Sequence, residues 1–589
     1  MDLKNKKIYD LVIGLFGDSE GTKVFDRLSK LLSEFPTQVS GESVLQQQYF
    51  NLEDIILITY GNSLNRKNEV PLQTLFKFYQ KYFQNIINTV HILPFYPYSS
   101  DDGFSVIDYL AINPDLGNWE DIHQFKTNGI HLMFDAVINH ISSQSEWFEK
   151  FLINDPKYSN YFIAIEPDTN LSKVIRPRTL PLLTPYVTNA GKKWVWTTFS
   201  ADQIDLNFKN SDTLIDIVDI ILHYIQSGAK LIRLDAIAYL WKEIGTNCIH
   251  LPQTHAVIQL FRAILDQVAP DVLIITETNV PHEENISYFG NGLDEAHLVY
   301  QFSLPPLVAH AILTESSEHL SRWASRLSVP NPSTSFFNFT ASHDGIGVRP
   351  LIGILPPEEM EFLVEKTLLH GGRISSKTNS DGSSSPYELN ISYFDLLNNP
   401  HINESVEIQV KRFLVSQAIP LVLAGIPGIY IHSMLGSRNH FQGVEESGTA
   451  RSINRQKLDA GILEDELSDQ NSLRSQVFSG YQKLISCRIK EKSFHPNANQ
   501  IILPLSPAVF SVLRSSKDET ESILALQNIT NQWQTISFNM NIFGENIPRN
   551  LKDLLTQRLF ITQNGMKIKI APYEILWLKP HFQFFVSSQ

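Results

Sequence analysis

The chain predicts an α/β fold: a (β/α)8 barrel of the TIM type, with insertions after strands 3 and 7 and a small C-terminal antiparallel β domain. Three observations predict it. Eight apolar runs alternate with helix-like segments, the strand count of a closed parallel barrel. Their hydrophobicity is continuous rather than alternating, as expected of strands covered on both faces. Three of the runs end in a carboxylate: KLIRLDA at Asp235, VLIITET at Glu277 and FFNFTASHD at Asp344. An ionised carboxylate is costly to bury without partners. Acids recurring at strand ends therefore read as an active site, which in parallel barrels lies at the C-terminal ends of the strands.

The strands are read at 55–61, 89–96, 130–138, 230–237, 272–279, 295–302, 335–343 and 419–431. Residues 1–50 precede them as an N-terminal helical extension. LQTLFKFYQKYFQNII (72–87) carries apolar residues at three- and four-residue spacing and predicts a helix. SDTLIDIVDIILHYIQSG (211–228) predicts another, with Ser211 as its cap and Gly228 closing it. THAVIQLFRAILDQVAP (254–270) predicts a third, stopped by Pro270. The barrel takes 51–140 and 206–495. Two inter-strand gaps exceed a βα unit: the insertion at 141–205 after strand 3, and the one at 345–418 after strand 7. Both leave from C-terminal strand ends and would roof the active-site face. The second contains HGGRISSKTNSDGSSSPYELN (370–390), a Gly/Ser-rich stretch that reads as a mobile loop or a disordered surface insertion. A polar loop (436–455) and a final helix (474–494) follow. From 496 to 589 the runs alternate (AVFSVLRSS, ESILALQNI, WQTISFNM, YEILWLKP), which predicts a small antiparallel sandwich.

Composition narrows the function classes. With 589 residues, 43% apolar and 19% charged, the chain is globular and too long for one ordinary domain. A net charge of −14 and the lack of a Lys/Arg run exclude nucleic acid as a partner. No stretch approaches the ~18 apolar residues of a membrane span. The N-terminal patch is too short for a signal peptide. Cys248 and Cys487 are the only cysteines, so neither a disulfide framework nor a Cys-based zinc site is expected. These features together point to a cytoplasmic protein. Aromatics at 11% suit carbohydrate binding and core filling alike.

The acids can be assigned chemistry from their neighbours. Two carboxylates flanking a scissile bond can cleave a glycoside, one as nucleophile and the other as acid and then base. Arg233 is two residues before Asp235 and so shares its strand face. A fixed charge there would keep Asp235 ionised and nucleophilic. Glu277 has no cation beside it in sequence and is the better candidate to stay protonated. Asp344 is left to hold sugar hydroxyls and balance oxocarbenium charge.

At these residues the chain resembles the α-amylase superfamily, glycoside hydrolase family 13. DAVINH (135–140), RLDAIAY (233–239), ITETN (275–279) and ASHDGIG (341–347) look like its four motifs, in order. The resemblance implies Asp235 as nucleophile, Glu277 as acid/base and Asp344 as transition-state stabiliser. It further implies His140 and His343 on glucosyl hydroxyls, with Arg233 holding the nucleophile. SSDDGF (99–104), RPRTLPLLT (176–184), WVWTTFSADQIDLN (194–207), FSLPPL (302–307) and ARSINR (450–455) look like signatures of the sucrose-phosphorylase subfamily. By that resemblance Asp101 and Arg451 pair to close the glucose pocket, Phe104 stacks on the sugar, Arg178 meets phosphate and Tyr387 belongs to a loop that moves with the acceptor.

Two positions depart from sucrose phosphorylases: Asn279 stands where His is usual, and Glu388 where Gln is usual. Both would line the fructose site. With ETNVPHEENISYFG (277–290) and SDGSSSPYELN (380–390), the chain looks more like the glucosylglycerate phosphorylases of the subfamily. The resemblance implies a small α-glucoside and inorganic phosphate as substrates, and no cofactor. Arg178, Arg373, Lys377 and Arg438 are the candidate cations for a glycerate carboxylate. Asn139 stands where many amylases ligate calcium, but phosphorylase-like members generally lack the ion, so no metal is expected. Sucrose phosphorylase remains an alternative, as does a glucosidase or transglucosidase on the same barrel. A non-catalytic scaffold would need lost carboxylates and an anchor.

Overall fold

The computed structural model describes residues 3–36, 49–379, 383–544, 550–563 and 565–581. Part of the predicted N-terminal extension (37–48) and the tip of the predicted loop (380–382) lie outside them. Eight parallel strands close the barrel: β1 Ile56–Thr59, β2 Thr89–Ile92, β3 His131–Ala136, β4 Ala229–Leu234, β5 Leu273–Thr276, β6 Leu298–Tyr300, β7 Ser335–Asn338 and β8 Ile426–Tyr430. Each strand pairs with its neighbours in sequence, and β1 closes the ring on β8 with Ile56 opposite Gly428. Gly428 is required by the filling of the barrel. A Cβ there would stand 2.2 Å from the Phe337 ring, so only glycine lets that ring occupy the interior.

The predicted helices form at Pro71–Tyr82, Ser211–Gln226, Pro252–Val268 and Leu473–Arg488. Asn210, not Ser211, caps the second: its side chain accepts from the Asp212 amide, while the Ser211 hydroxyl donates to Glu20. The first four residues of the run read as strand 419–431 are the end of helix Val406–Val422; Pro420 sits in its last turn, and the strand begins only at Ile426. The N-terminal helix Leu3–Glu34 breaks at Gly17 (φ 76°). It is tied to the barrel helices by Arg27–Asp212 at 2.6 Å and by Lys4 donating to the Asp266 carbonyl.

Residues of both long gaps reach the strand-end acids: Arg178 from the first and Tyr387 and Glu388 from the second line one cleft with Asp235, Glu277 and Asp344. Within 370–390, read from its Gly/Ser content as a loop, the described residues form strands. Arg373–Thr378 and Ser384–Asn390 pair as an antiparallel hairpin, and Ile346–Gly347, just past Asp344, joins as a third strand. The polar stretch 436–455 likewise contains a helix, Phe441–Ser447, and a 3₁₀ turn, Ala450–Asn454.

The C-terminal domain is a six-stranded sheet faced by a two-stranded ribbon, Gln534–Asn539 with Gly565–Ile570. Side chains alternate along its strands. Phe510, Val512, Ile523, Ala525 and Trp577 pack into the barrel core, whereas Val509, Leu513, Leu524, Leu526 and Leu578 pack against the ribbon. Two buried arginines complete the seam. Arg514 donates to the carbonyls of Val422 and His495, and Arg488 to those of Leu421 and Gly425.

Candidate active site

The floor of the site is set by strand register. Arg233 on β4 lies level with Asp135 on β3 and Ile275 on β5. Its buried guanidinium bonds Asp135, donates to Asp235 Oδ1 at 2.7 Å and stands 3.9 Å from Glu277. Asp135 is held from its other side by His91 at 2.7 Å. A guanidinium does not deprotonate in proteins, so three carboxylates share one permanent charge.

Ala236, next to Asp235, adopts φ 48° and ψ 31°. A left-handed residue bearing a Cβ costs on the order of 1 kcal/mol. The conformation turns the Ala236 amide onto Glu277 Oε2 at 3.0 Å, linking the loops after β4 and β5. Burial pushes Glu277 up to about 8; Arg233 opposes the shift, and the charges of Asp235 and Asp344 add to it. Burial also raises Asp235, with Arg233 pulling against it. Because Arg233 hydrogen-bonds Asp235 and stands farther from Glu277, a proton shared between the two acids resides on Glu277. Asp344 goes the other way. Burial alone would raise it, but Arg451 at 2.7 Å, His343, Arg455 and Arg233 hold it well below the usual carboxylate range. His343 is lowered to about 3, chiefly by burial, and is neutral at pH 7.

Twelve of the thirteen residues assigned catalytic or substrate-site roles from the sequence, the further candidate cations and Asn139 aside, line one cleft of ≈ 620 Å³. The thirteenth, Arg233, lies beneath it. Phe104 is buried, with its ring parallel to that of His343 at 4.8 Å. The Phe104 carbonyl meets His140 Nε2 at 2.9 Å and accepts from Gln203 at 3.1 Å. The expected Asp101–Arg451 pair is long, at 3.9 Å. Arg451 instead turns its fork to Glu388, at 2.6 and 3.1 Å, and its other nitrogen to Asp344. Arg455 stands 3.7 Å from Asp101 and 2.8 Å from Asp102. The end of the pocket is thus a network of two arginines and four carboxylates. Glu388 was expected on the leaving-group side; both its oxygens face Arg451 because the guanidinium fork matches a carboxylate in two places. Its charge is thereby matched, and Arg178 lies 3.9 Å away.

The same cleft is lined by Asn279, Tyr239, Tyr387 and Arg178, whose guanidinium stands over the Tyr387 ring at 5.6 Å. Of the four cations considered for a carboxylate ligand, only Arg178 lines the cleft. Arg373 bonds the carbonyls of Gly371 and Gly372, Lys377 bonds Asn379, and Arg438 is paired with Asp395 at 2.8 Å. Phe199, Gln203 and Tyr239 line the cleft without having been singled out. They lie within WVWTTFSADQIDLN and RLDAIAY but are uncharged, and no spacing rule separates them from core residues.

The residues around Asn139 do not fit a calcium ion. The Lys242 ammonium lies 2.8 Å from Asn139 Oδ1 and 2.6 Å from Asp205, so a side-chain amine already takes the place and the oxygen ligands a calcium ion would need. Among the described residues no group of three or more His, Cys, Asp or Glu side chains could hold a metal ion. No helix among them is long and apolar enough to cross a membrane.

A buried acid pair over a fixed cation, at the mouth of a (β/α)8 barrel, defines a class. A model of the α-amylase catalytic domain matches residues 80–329. The chain is 49% identical over 534 residues to a glucosylglycerate phosphorylase of Spirochaeta thermophila, covering 90% of each protein. It is 42% identical over 575 residues to one of Escherichia coli, covering 98% of this chain and all of that protein. The crystal structure of sucrose 6F-phosphate phosphorylase from Thermoanaerobacter thermosaccharolyticum shares the fold, with a TM-score of 0.71, 24% identity and coverage of 88% of this chain and 98% of that one. The chain belongs to the α-amylase superfamily, glycoside hydrolase family 13, and within it to the family of the glucosylglycerate phosphorylases.

Proposed function

We propose that the chain is a retaining glycoside phosphorylase that cleaves 2-O-α-D-glucosylglycerate with inorganic phosphate, giving α-D-glucose 1-phosphate and D-glycerate. The reaction is a double displacement. Asp235 attacks the anomeric carbon as the bond to the glycerate oxygen breaks, and the Glu277 proton passes to that oxygen. A β-glucosyl ester on Asp235 results. Phosphate then enters the vacated side. Its oxygen attacks the same carbon, Asp235 leaves, and the Glu277 carboxylate takes the proton of the attacking phosphate hydroxyl. Inversion twice is retention. Asp344, kept ionised by Arg451, balances positive charge on the sugar in both steps. His140, His343, Asp101 and Phe104 hold the glucosyl group. Arg178 attracts phosphate, and Tyr387 lines the side it enters.

The observation that carries the mechanism is Arg233 bonded to Asp235 beside a Glu277 held neutral to about pH 8. The substrate follows the glucosylglycerate phosphorylase relatives, together with Asn279 on the acceptor side. No cofactor is needed. The two cysteines, neither in a disulfide, favour the cytoplasm. The test is a comparison of donors. With phosphate present, kcat/KM for 2-O-α-glucosylglycerate should exceed that for sucrose; the reverse order would overturn the substrate assignment.

A further inference from the structure

The acceptor side of the cleft contains polar atoms that the protein itself leaves unused. Tyr239 lines the cleft, and its hydroxyl is buried with no hydrogen-bond partner among the described residues. Arg349 lies close by, 9% exposed, with Nη1 sealed from solvent and likewise without a partner. No carboxylate among the described residues forms an ion pair with it. Every other arginine discussed above has a carboxylate or carbonyl partner, or stands near one. Of the groups around the Tyr239 hydroxyl, Arg349 acts most strongly, both by its charge and as a side-chain hydrogen-bond donor, ahead of Glu277 and Arg178, and it also acts on the Tyr387 phenol.

The fold fixes Arg349 in this place. It follows the strand Ile346–Gly347, where Gly347 pairs with Glu388 and the Val348 amide donates to the Tyr387 carbonyl at 3.1 Å. Gly347 itself is pressed against Asn279: a Cβ there would lie 2.4 Å from Asn279 Oδ1, another atom without a partner. Arg349 is thus tied to the hairpin that carries Tyr387 and to the residue that follows the acid/base by two. A buried guanidinium without an anion is costly, and so is a buried hydroxyl without a bond. Arg349 reaches towards the Tyr239 hydroxyl but has no anion, and the phenol proton has no acceptor; one ligand that brings a carboxylate to this end of the cleft supplies both.

We propose that Tyr239 and Arg349 form the carboxylate-reading end of the acceptor site. The Tyr239 hydroxyl bonds the carboxylate of the leaving group, and Arg349 behind it supplies the fixed positive charge. The inference rests on the phosphorylase reading above and names how that site recognises an α-hydroxy acid. Arg349 acts through Tyr239 and is a positioning residue.

The test runs the reaction in reverse, with glucose 1-phosphate as donor and either D-glycerate or uncharged glycerol as acceptor. A charge-assisted bond of this kind corresponds to about a ten- to hundredfold change. Arg349→Gln should raise KM for glycerate by about that factor while leaving kcat/KM for glycerol unchanged, and Tyr239→Phe should lower kcat/KM for glycerate more than for glycerol. Arg349→Lys, which keeps the charge, should recover part of the loss. An unchanged KM for glycerate, or equal losses with both acceptors, would overturn the proposal. Should the Gln variant not fold, the Phe and Lys variants decide by the same criterion. If the parent enzyme itself does not accept glycerate, it is the proposed function that fails.

Discussion

Glu277 gives the sharpest quantitative expectation. Its carboxyl is raised from 4.5 to about 8 by burial and by the charges of Asp235 and Asp344, with Arg233 opposing. At 1.36 kcal/mol per unit, the folded protein prefers the neutral form by on the order of 5 kcal/mol. Two consequences follow, of opposite sign. Activity needs the proton, so kcat/KM should fall on an alkaline limb near pH 8, tenfold per unit beyond it. Stability is lowered by the same shift. An unfolded chain ionises this group from about pH 4.5 upward and the folded chain only from about pH 8, so the unfolded state gains progressively across that window. Glu277→Gln removes the penalty. It should be more stable than the parent at pH 8, by up to about 5 kcal/mol, with the difference vanishing below pH 4.5. The assay pairs a pH–rate profile of glucose 1-phosphate release with urea unfolding of both proteins at pH 4 and 8. A profile flat to pH 9.5, or a Gln variant no more stable at pH 8 than at pH 4, would refute the reasoning.

Two further outcomes are expected. Asp235→Ala should abolish turnover while retaining the parent's near-UV circular dichroism, because Arg233 still bonds Asp135; retained activity would remove Asp235 as the nucleophile. Lys242→Met leaves Asp205 and Asn139 buried without their cation. Breaking such a pair costs about 3–5 kcal/mol, read as a lowered urea midpoint, and added calcium should not restore it.

Much of this was legible in the sequence because parallel strands covered on both faces leave continuous apolar runs, and all eight were readable. Their ends were less so. The run at 419–431 merges a helix end with a strand, since period alone does not separate buried helix from buried strand. The pairing of 373–378 with 384–390 was hidden because Gly and Ser composition does not reveal strand partners, nor that Gly347 and Glu388 pair across a long gap. In the site, the carboxylates were legible by position on their strands. The partners of Arg451 were not: two acids from distant segments, Asp344 and Glu388, outcompete Asp101 for its nitrogens, and only the folded arrangement decides that contest. Arg349 and Tyr239 carry no sequence pattern that separates them from ordinary surface and core residues. What marks them is the absence of partners in a buried place, a property of the fold.

The most direct measurement of the account is product identity with and without phosphate. Incubated with 2-O-α-D-glucosylglycerate and phosphate, the protein should release D-glycerate and α-D-glucose 1-phosphate in equal amounts, the α-anomer assigned by proton NMR, with little free glucose. Free glucose released at the same rate when phosphate is omitted, or a β-configured phosphate ester, would contradict it.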